Sequence, residues 1–184
     1  MKLTLYEFRQ GVATSGGNRV VYDVAAGVAH FGAASVPGHT LVWEIEDDGH
    51  DSAGALLSAR VQLDTASEWI MRCDRVDFPP GGIAYRHVHP GPGIRYLLAG
   101  GIAIETEGHT TSYVPGGAWF ESGPDPVLAR AAPDRDTAFV RVMLLPAEWT
   151  GKRTIRYVDP ADADLPRLQR ATVYFDQPVA LRRT

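Results

Sequence analysis

Short runs of alternating apolar and polar residues, separated by turns rich in glycine and proline, restrict the fold of this chain more than any other feature. The runs before residue 65 cover 3–8, 19–24, 39–45 and 55–63, and those after it cover 68–78, 94–98, 102–106, 127–131 and 137–145. The first 64 residues contain no convincing amphipathic helical pattern. The sequence therefore predicts an all-β fold, either a barrel or a double-sheet jelly roll.

Length and composition indicate one globular domain. The 184 residues, 45% of them hydrophobic, are enough for one core and too few for two full barrels. The net charge is −4 and no long basic run occurs, Arg182-Arg183 being a pair at the end, so nucleic acid and membranes are not expected partners. With one cysteine, Cys73, and no long apolar window, a cytoplasmic location is the expectation.

Two histidines separated by one residue, His87 and His89, form the clearest candidate site. They follow the turn Pro79-Pro80-Gly81-Gly82, and on an extended strand residues i and i+2 point to the same face. With Tyr85 on that face as well, the strand would offer two imidazole nitrogens to one metal ion, a ligand type that suits Zn, Cu, Fe and Ni. The pair alone leaves open a partly exposed strand face without a function.

The spacing around these histidines resembles the first motif of the cupins, small β-barrels that hold a metal ion near the barrel axis. In that motif Gly is followed by five residues, His-x-His, three or four residues, Glu, six residues and Gly. Gly81, His87, His89 and Gly100 fall into this register, whereas the second cupin motif fits residues 116–127 only loosely. The resemblance covers residues 65–146 and implies a cupin-type jelly-roll β-barrel with additional N-terminal strands.

Two of the four ligands that the resemblance implies are absent. Gly93 stands where the first motif has its Glu, and Val127 stands where the second motif has its His. Glu121 is the only nearby acid able to replace the missing carboxylate, with a turn cap in solvent as its alternative role. The resemblance therefore implies a divalent ion, Fe, Zn, Mn or Ni, held by His87, His89 and Glu121.

Arg95 and Tyr85 are the candidates for contact with the substrate. In the register of the resemblance position 93 faces the barrel lumen, and by the period of two Arg95 does so as well. An inward Arg95 could clamp a carboxylate, either Glu121 or an anionic ligand, whereas an outward Arg95 would form a surface ion pair. Arg95 or Tyr85 would then orient the anionic group of a substrate.

The chain is predicted to form one cupin domain, residues 1–184, in three parts. Residues 1–64 are an N-terminal β extension, residues 65–146 the cupin core, and residues 147–184 a C-terminal tail. The extension is expected to add strands to the barrel or to an interface. The tail has a helix start at Asp159-Pro160 and a last strand over 171–175. Because cupins commonly pair through terminal strands, a homodimer is expected.

Two hypotheses of different kinds follow for the function. The first is a metal-dependent cupin enzyme acting on a small anionic molecule, of oxygenase, isomerase or lyase type, since two histidines and one carboxylate leave metal positions open for substrate. The second is a non-catalytic small-molecule-binding or sensing cupin with a degraded metal site, in which Arg95 binds the ligand directly. The position of Glu121 and the metal content of the protein distinguish the two hypotheses.

Overall fold

The computed structural model describes residues 1–181, and the Arg182-Arg183 end lies outside them. The strands in this range are β1 (Lys2–Phe8), β2 (Val12–Thr14), β3 (Arg19–Asp23), β4 (Val28–Phe31), β5 (Ala34–Val36), β6 (Thr40–Glu46), β7 (Leu57–Arg60), β8 (Trp69–Phe78), β9 (Ile83–Val88), β10 (Gly93–Ala99), β11 (Ile102–Thr106), β12 (His109–Tyr113), β13 (Ala118–Glu121), β14 (Val127–Ala131), β15 (Thr137–Pro146), β16 (Arg156–Tyr157) and β17 (Arg170–Pro178). Two short 3₁₀ helices cover Ala147–Trp149 and Pro160–Asp164. Each of the runs that the sequence pattern predicts contains a strand.

Strands β8 to β15 form two facing sheets. One sheet has the order β13-β10-β15-β8 and the other the order β12-β11-β14-β9, and β17 and β16 extend them beside β8 and β9. Successive strands cross from one sheet to the other, except for the hairpin of β11 and β12. This strand order is the jelly roll, the fold on which cupins are built. The predicted all-β, cupin-type jelly roll is therefore confirmed.

The N-terminal strands form a third layer against the jelly roll. Their sheet has the order β4-β3-β6-β1-β7, and its Leu5 and Trp43 belong to one buried cluster with Ile94 of β10 and Val142 of β15. The sheet that contains β8, β10 and β15 is thus covered on both faces. This explains why β15 is buried along almost its whole length, since a strand with one face in water would alternate.

Deletion of residues 1–64 is expected to give an insoluble or aggregated product. The deletion would expose the outer face of the middle sheet, where Met71, Ile94 and Val142 are fully buried in the intact chain. Large contiguous apolar patches of this kind promote association. Expression of residues 65–184 followed by size-exclusion chromatography checks the prediction, and a stable monomeric fragment would contradict it.

The C-terminal segment returns to the open edges of the two jelly-roll sheets. β16 pairs with β9, and β17 pairs with β8. The predicted helix start is present as one 3₁₀ turn, in which the Asp159 carboxylate accepts a hydrogen bond from the amide of Ala161 at 2.9 Å. Within residues 1–181, none of the helices has the length and apolar character needed to cross a membrane.

Candidate functional site

A cavity of about 450 Å³ lies between the two jelly-roll sheets. Apolar side chains line one part of it, namely Val76, Phe78, Ala84, Ile104, Trp119, Ala129 and Phe139. Polar side chains line the next part, namely Asp74, His87, His89, Glu121 and Arg141. The remaining side is lined in large part by exposed residues of the segment 147–169, which we call the mouth segment. The volume is in the range of small-molecule sites.

The two histidines of the first motif lie in the cavity wall. His87 is 4% and His89 2% exposed, and their ring centroids are 4.8 Å apart. β9 carries His87, and His89 follows one residue after the end of that strand. Both imidazoles therefore face the interior of the barrel.

Tyr85 does not share the face of the two histidines. Between Ala84 and His87, β9 has one residue more than the paired segment of β14, which is a β-bulge. A bulge interrupts the alternation of inward and outward side chains, so Ala84 and His87 both line the cavity and Tyr85 does not. The prediction that Tyr85 shares the face of the two histidines is therefore wrong, because the bulge breaks the period of two. Tyr85 contributes its backbone carbonyl, which lies 2.6 Å from His87 Nδ1.

The hydrogen bonds of the two histidines determine where their protons are. A carbonyl oxygen can only accept, so His87 Nδ1 carries the proton and donates to Tyr85, which leaves Nε2 with a free lone pair. The guanidinium of Arg141 can only donate, and its Nη1 lies 3.3 Å from His89 Nε2. Burial lowers the pKa of His87, and burial together with Arg141 lowers the pKa of His89 well below its ordinary value. Both imidazoles are therefore neutral at neutral pH.

Arg95 points inward and forms a buried ion pair with Glu121. Arg95 is 0% exposed, its Nη2 lies 2.6 Å from Glu121 Oε2, and its Nη1 donates to the carbonyl oxygen of Gly93 at 2.7 Å. The other carboxylate oxygen of Glu121 accepts from Trp119 Nε1 at 2.9 Å. Burial lowers the pKa of Arg95 to about 10, which still leaves the guanidinium charged at neutral pH.

The position of Arg95 corrects its expected role. Arg95 is not among the residues that line the cavity, whereas Glu121 is. A ligand in the cavity would meet the carboxylate of Glu121 and not the guanidinium behind it. Direct binding of an anionic ligand by Arg95 therefore does not fit the structure, while the alternative partner predicted for Arg95, the carboxylate of Glu121, does.

A second buried ion pair, between Asp74 and Arg141, was not predicted from the sequence. Arg141 Nε lies 2.6 Å from Asp74 Oδ1, and its Nη2 lies 3.1 Å from Oδ2. The two residues are opposite each other in the pairing of β8 with β15. A charged residue inside the apolar run 137–145 was the available signal, since an arginine buried in a strand needs an acid beside it.

The predicted metal ligands are close together, but the donor atoms of two of them, His89 and Glu121, are engaged. His89 Nε2 faces the Arg141 guanidinium, and the oxygens of Glu121 contact Arg95 and Trp119. In the part of the chain that the structure describes, no three His, Cys, Asp or Glu side chains are arranged to hold a metal ion. A guanidinium at roughly 5 Å costs a cation about 3 kcal/mol per unit charge at an effective dielectric constant of 20. The residues therefore do not fit the expected divalent ion.

Gly93, where the first motif has its Glu, has no room for a side chain. A Cβ atom at this position would lie 2.6 Å from the carbonyl oxygen of Val142 and 3.1 Å from Arg95 Nη1. The guanidinium of Arg95 thus lies where a side chain at position 93 would begin. The Arg95 guanidinium can lie here only because position 93 has no side chain, so the missing carboxylate and the buried arginine go together.

The low pKa values of the two histidines predict that the protein is less stable in mild acid. Below about pH 6.5 the histidines of the unfolded chain take up protons, whereas the buried ones stay neutral until the pH reaches their lowered pKa. The unfolded state then binds more protons, so the free energy of unfolding falls by up to about 1.4 kcal/mol per pH unit and histidine. Urea unfolding between pH 7.5 and 5.5 measures this slope.

Substitution of single histidines assigns the slope to its source. His89→Gln is expected to remove part of the pH dependence, because the group whose pKa is lowered most is absent. His109→Gln changes an exposed histidine at the start of β12 and is expected to leave the slope as it is. Equal slopes for the wild type and His89→Gln would contradict the prediction.

The chain was compared with family models, curated proteins and solved structures. No protein-family model matches the chain, and no curated protein matches it. Solved structures that it resembles include an RmlC-like cupin from Shewanella frigidimarina (16% identity, 43% of this chain and 69% of that chain, TM-score 0.39). Others are a polyketide cyclase from Streptomyces resistomycificus (21%, 59% and 79%, 0.40) and a DMSP lyase from Ruegeria pomeroyi (20%, 55% and 57%, 0.40). The strand order defines an all-β jelly-roll protein.

Proposed function

We propose that this protein binds a small organic anion in the cavity of the jelly roll, with His87 as the group that can exchange a proton with it. The observation that carries the proposal is the charge balance of the cavity wall. Among the described residues, the lining has five Lys or Arg side chains and two acidic ones, in a chain whose net charge is −4.

The buried charges around the cavity are all paired. Arg141 is paired with Asp74, and Arg95 behind the wall is paired with Glu121. Arg72 is paired with Asp176 of β17, at 2.6 Å between Nε and Oδ1. Within residues 1–181, the lining cations that take part in no ion pair are Lys152, Arg153 and Arg167, all of them in the mouth segment. A cleft with surplus charge of one sign attracts ligands of the opposite sign.

His87 provides the chemistry that this site could perform on such a ligand. It is neutral at neutral pH, its tautomer is held by the carbonyl of Tyr85, and the lone pair of its Nε2 is free. A neutral imidazole with this arrangement is suited to act as a general base. Proton removal from a bound molecule is a step that isomerase-type and lyase-type reactions share, so these types are the part of the first hypothesis that the site supports.

The donor set does not fit the expected metal-dependent enzyme, and the homodimer stays a prediction. Elemental analysis of the purified protein measures the metal content directly, and light scattering measures the oligomeric state. β17 lies at the edge of its sheet with Val173 49% exposed, so its free edge is the part of the tail that could pair with a second copy.

Filling the cavity tests whether the ligand binds inside the barrel. Isothermal titration calorimetry with 1-naphthylacetate is expected to detect binding to the wild type. Ala129→Phe is expected to weaken that binding by about tenfold or more, because Ala129 lines the cavity and the larger side chain takes its space. Ala103→Phe is the matched control, since Ala103 lies on the neighbouring strand and does not line the cavity.

Circular dichroism verifies that each variant is folded, and Ala129→Leu replaces Ala129→Phe if the larger residue prevents folding. Absence of binding to the wild type would overturn the proposal. Binding to Ala129→Phe or Ala129→Leu with unchanged affinity would also overturn it, because the probe would then bind elsewhere.

A further inference from the structure

We infer that Arg153 and Arg167 of the mouth segment bind the anionic group of the ligand, while an apolar body of the ligand extends into the cavity. The inference rests on the proposed function and specifies its ligand class: a carboxylate-type oxyanion attached to an aromatic or branched aliphatic body. We call Arg153, Arg167 and the Tyr157 ring between them in sequence the mouth cluster.

Both arginines are held against the same aromatic ring. The guanidinium carbons of Arg153 and Arg167 lie 5.6 and 5.8 Å from the centroid of the Tyr157 ring, the range of cation–π contacts. Arg153 Nη2 also donates to the Tyr157 hydroxyl at 3.1 Å, and Arg167 Nη2 donates to the carbonyl oxygen of Ala163 at 2.9 Å. These contacts restrict the orientation of both guanidinium groups before a ligand arrives.

Neither arginine of the mouth cluster forms an ion pair with a carboxylate of the described residues, while Asp162 and Asp164 flank Ala163, whose carbonyl oxygen accepts from Arg167. No acid of residues 1–181 forms an ion pair with Arg153 or Arg167, and Lys152 adds a third cation beside them. Like charges near one ring repel each other, and an anion between them relieves that repulsion. Each guanidinium has five N–H donors, most of which remain for a ligand.

The two arginines of the mouth cluster line the same cavity as the candidate base. Tyr157 is directly opposite His87 in the pairing of β16 with β9, and opposite residues of an antiparallel pair extend to the same side of the sheet. Tyr157 itself is not among the residues that line the cavity, whereas Arg153, Arg167 and His87 all line it. A ligand whose anionic group binds to the mouth cluster would extend into the cavity that His87 lines.

The cavity beyond the two histidines suits an apolar body. Phe78, Trp119 and Phe139 line it, and the rings of Trp119 and Phe139 are 5.3 Å apart in an edge-to-face arrangement. The charged groups between them and the mouth are the paired ones, so a second charge on the ligand would be buried without a free partner. That burial would be unfavourable, whereas burial of an aromatic or aliphatic group is favourable.

A matched pair of probes, 1-naphthylacetate and 1-naphthylacetamide, tests the inference. The two have the same apolar body and differ in charge, so the ratio of their dissociation constants, measured by calorimetry, reports the contribution of the anionic group. The wild type is expected to prefer the carboxylate by about tenfold or more, since a hydrogen bond to a charged group contributes on the order of 1.5–3 kcal/mol. This preference is expected to fall as the salt concentration rises.

Single substitutions locate the group that recognises the charge. Arg153→Gln and Arg167→Gln are each expected to weaken binding of the carboxylate by about fivefold to tenfold and to leave binding of the amide within about twofold. Arg60→Gln is the matched control, because Arg60 is an exposed arginine on β7 and no ion pair of the described residues includes it. It is expected to change neither affinity.

The outcomes separate this inference from the proposed function. If the wild type binds neither probe, the proposed function fails and the inference fails with it. If the wild type binds both probes equally, binding in the cavity stands and the mouth cluster has no role in recognition. If the carboxylate is preferred but Arg153→Gln and Arg167→Gln keep the full preference, the anion is bound elsewhere and the inference is overturned.

Discussion

Glu121→Gln is expected to lower the free energy of unfolding by about 3–5 kcal/mol, the usual cost of removing one partner of a buried ion pair. The Arg95 guanidinium would stay 0% exposed and lose the only carboxylate within reach in the described chain. The glutamine keeps the shape of Glu121 and can still accept from Trp119 Nε1, so the loss is electrostatic. Urea denaturation at pH 7.5 measures it.

A double substitution separates the buried charge from the side chains themselves. Arg95→Met together with Glu121→Gln removes both charges and is expected to recover most of the stability lost in Glu121→Gln. Glu148→Gln is the control, because Glu148 is exposed and forms no ion pair with any of residues 1–181. If Glu121→Gln is as stable as the double variant or more stable, the charges of Arg95 and Glu121 contribute little to each other's stability.

Gly93→Ala is expected to destabilise the protein by about 3 kcal/mol or more, above the typical cost of overpacking. The added Cβ would lie 2.6 Å from the carbonyl oxygen of Val142, a backbone atom of the adjacent strand β15 that cannot rotate away. The strands β10 and β15 would have to separate, and the Arg95 guanidinium beside them would lose its position. Chemical denaturation measures the change.

Gly49→Ala is the control for Gly93→Ala, since a Cβ at Gly49 would have no atom within 4 Å. Gly93→Glu, which restores the carboxylate of the first cupin motif, is expected to be at least as unstable as Gly93→Ala and to bind no metal. Near-native stability of Gly93→Ala would show that the strands accommodate a side chain and that the carboxylate position could be restored.

The strand pattern of the sequence was sufficient for the fold and for the inward direction of His87 and His89. Turn residues and alternation are local properties of the sequence, and the His-x-His spacing places two side chains on one face over only three residues. Tyr85 was misplaced because a bulge depends on the pairing of β9 with β14, which local alternation does not encode. The sequence left two orientations open for Arg95, and the structure has the inward one, in which Arg95 forms an ion pair with Glu121 and does not reach the cavity.

The rest of the site is assembled from parts of the chain that are far apart in sequence. Asp74 and Arg141 are 67 residues apart and meet only because β8 pairs with β15. The mouth cluster comes from a segment that follows the jelly roll in the sequence. From the sequence alone this segment is an exposed tail, whereas in the structure its strand β16 pairs with β9. A basic pair such as Lys152-Arg153 has no distinctive meaning in the sequence, since its significance depends on the cavity beside it.

The third layer of the fold makes the wall of the site rigid even when no ligand is bound. Asp74, Arg95 and Arg141 come from β8, β10 and β15, the strands that are packed on both faces. Local unfolding of these strands would require two interfaces to open together, so their amides should exchange hydrogen among the slowest in the protein. The wall of the site is then preorganised without a ligand, and binding carries little ordering cost there.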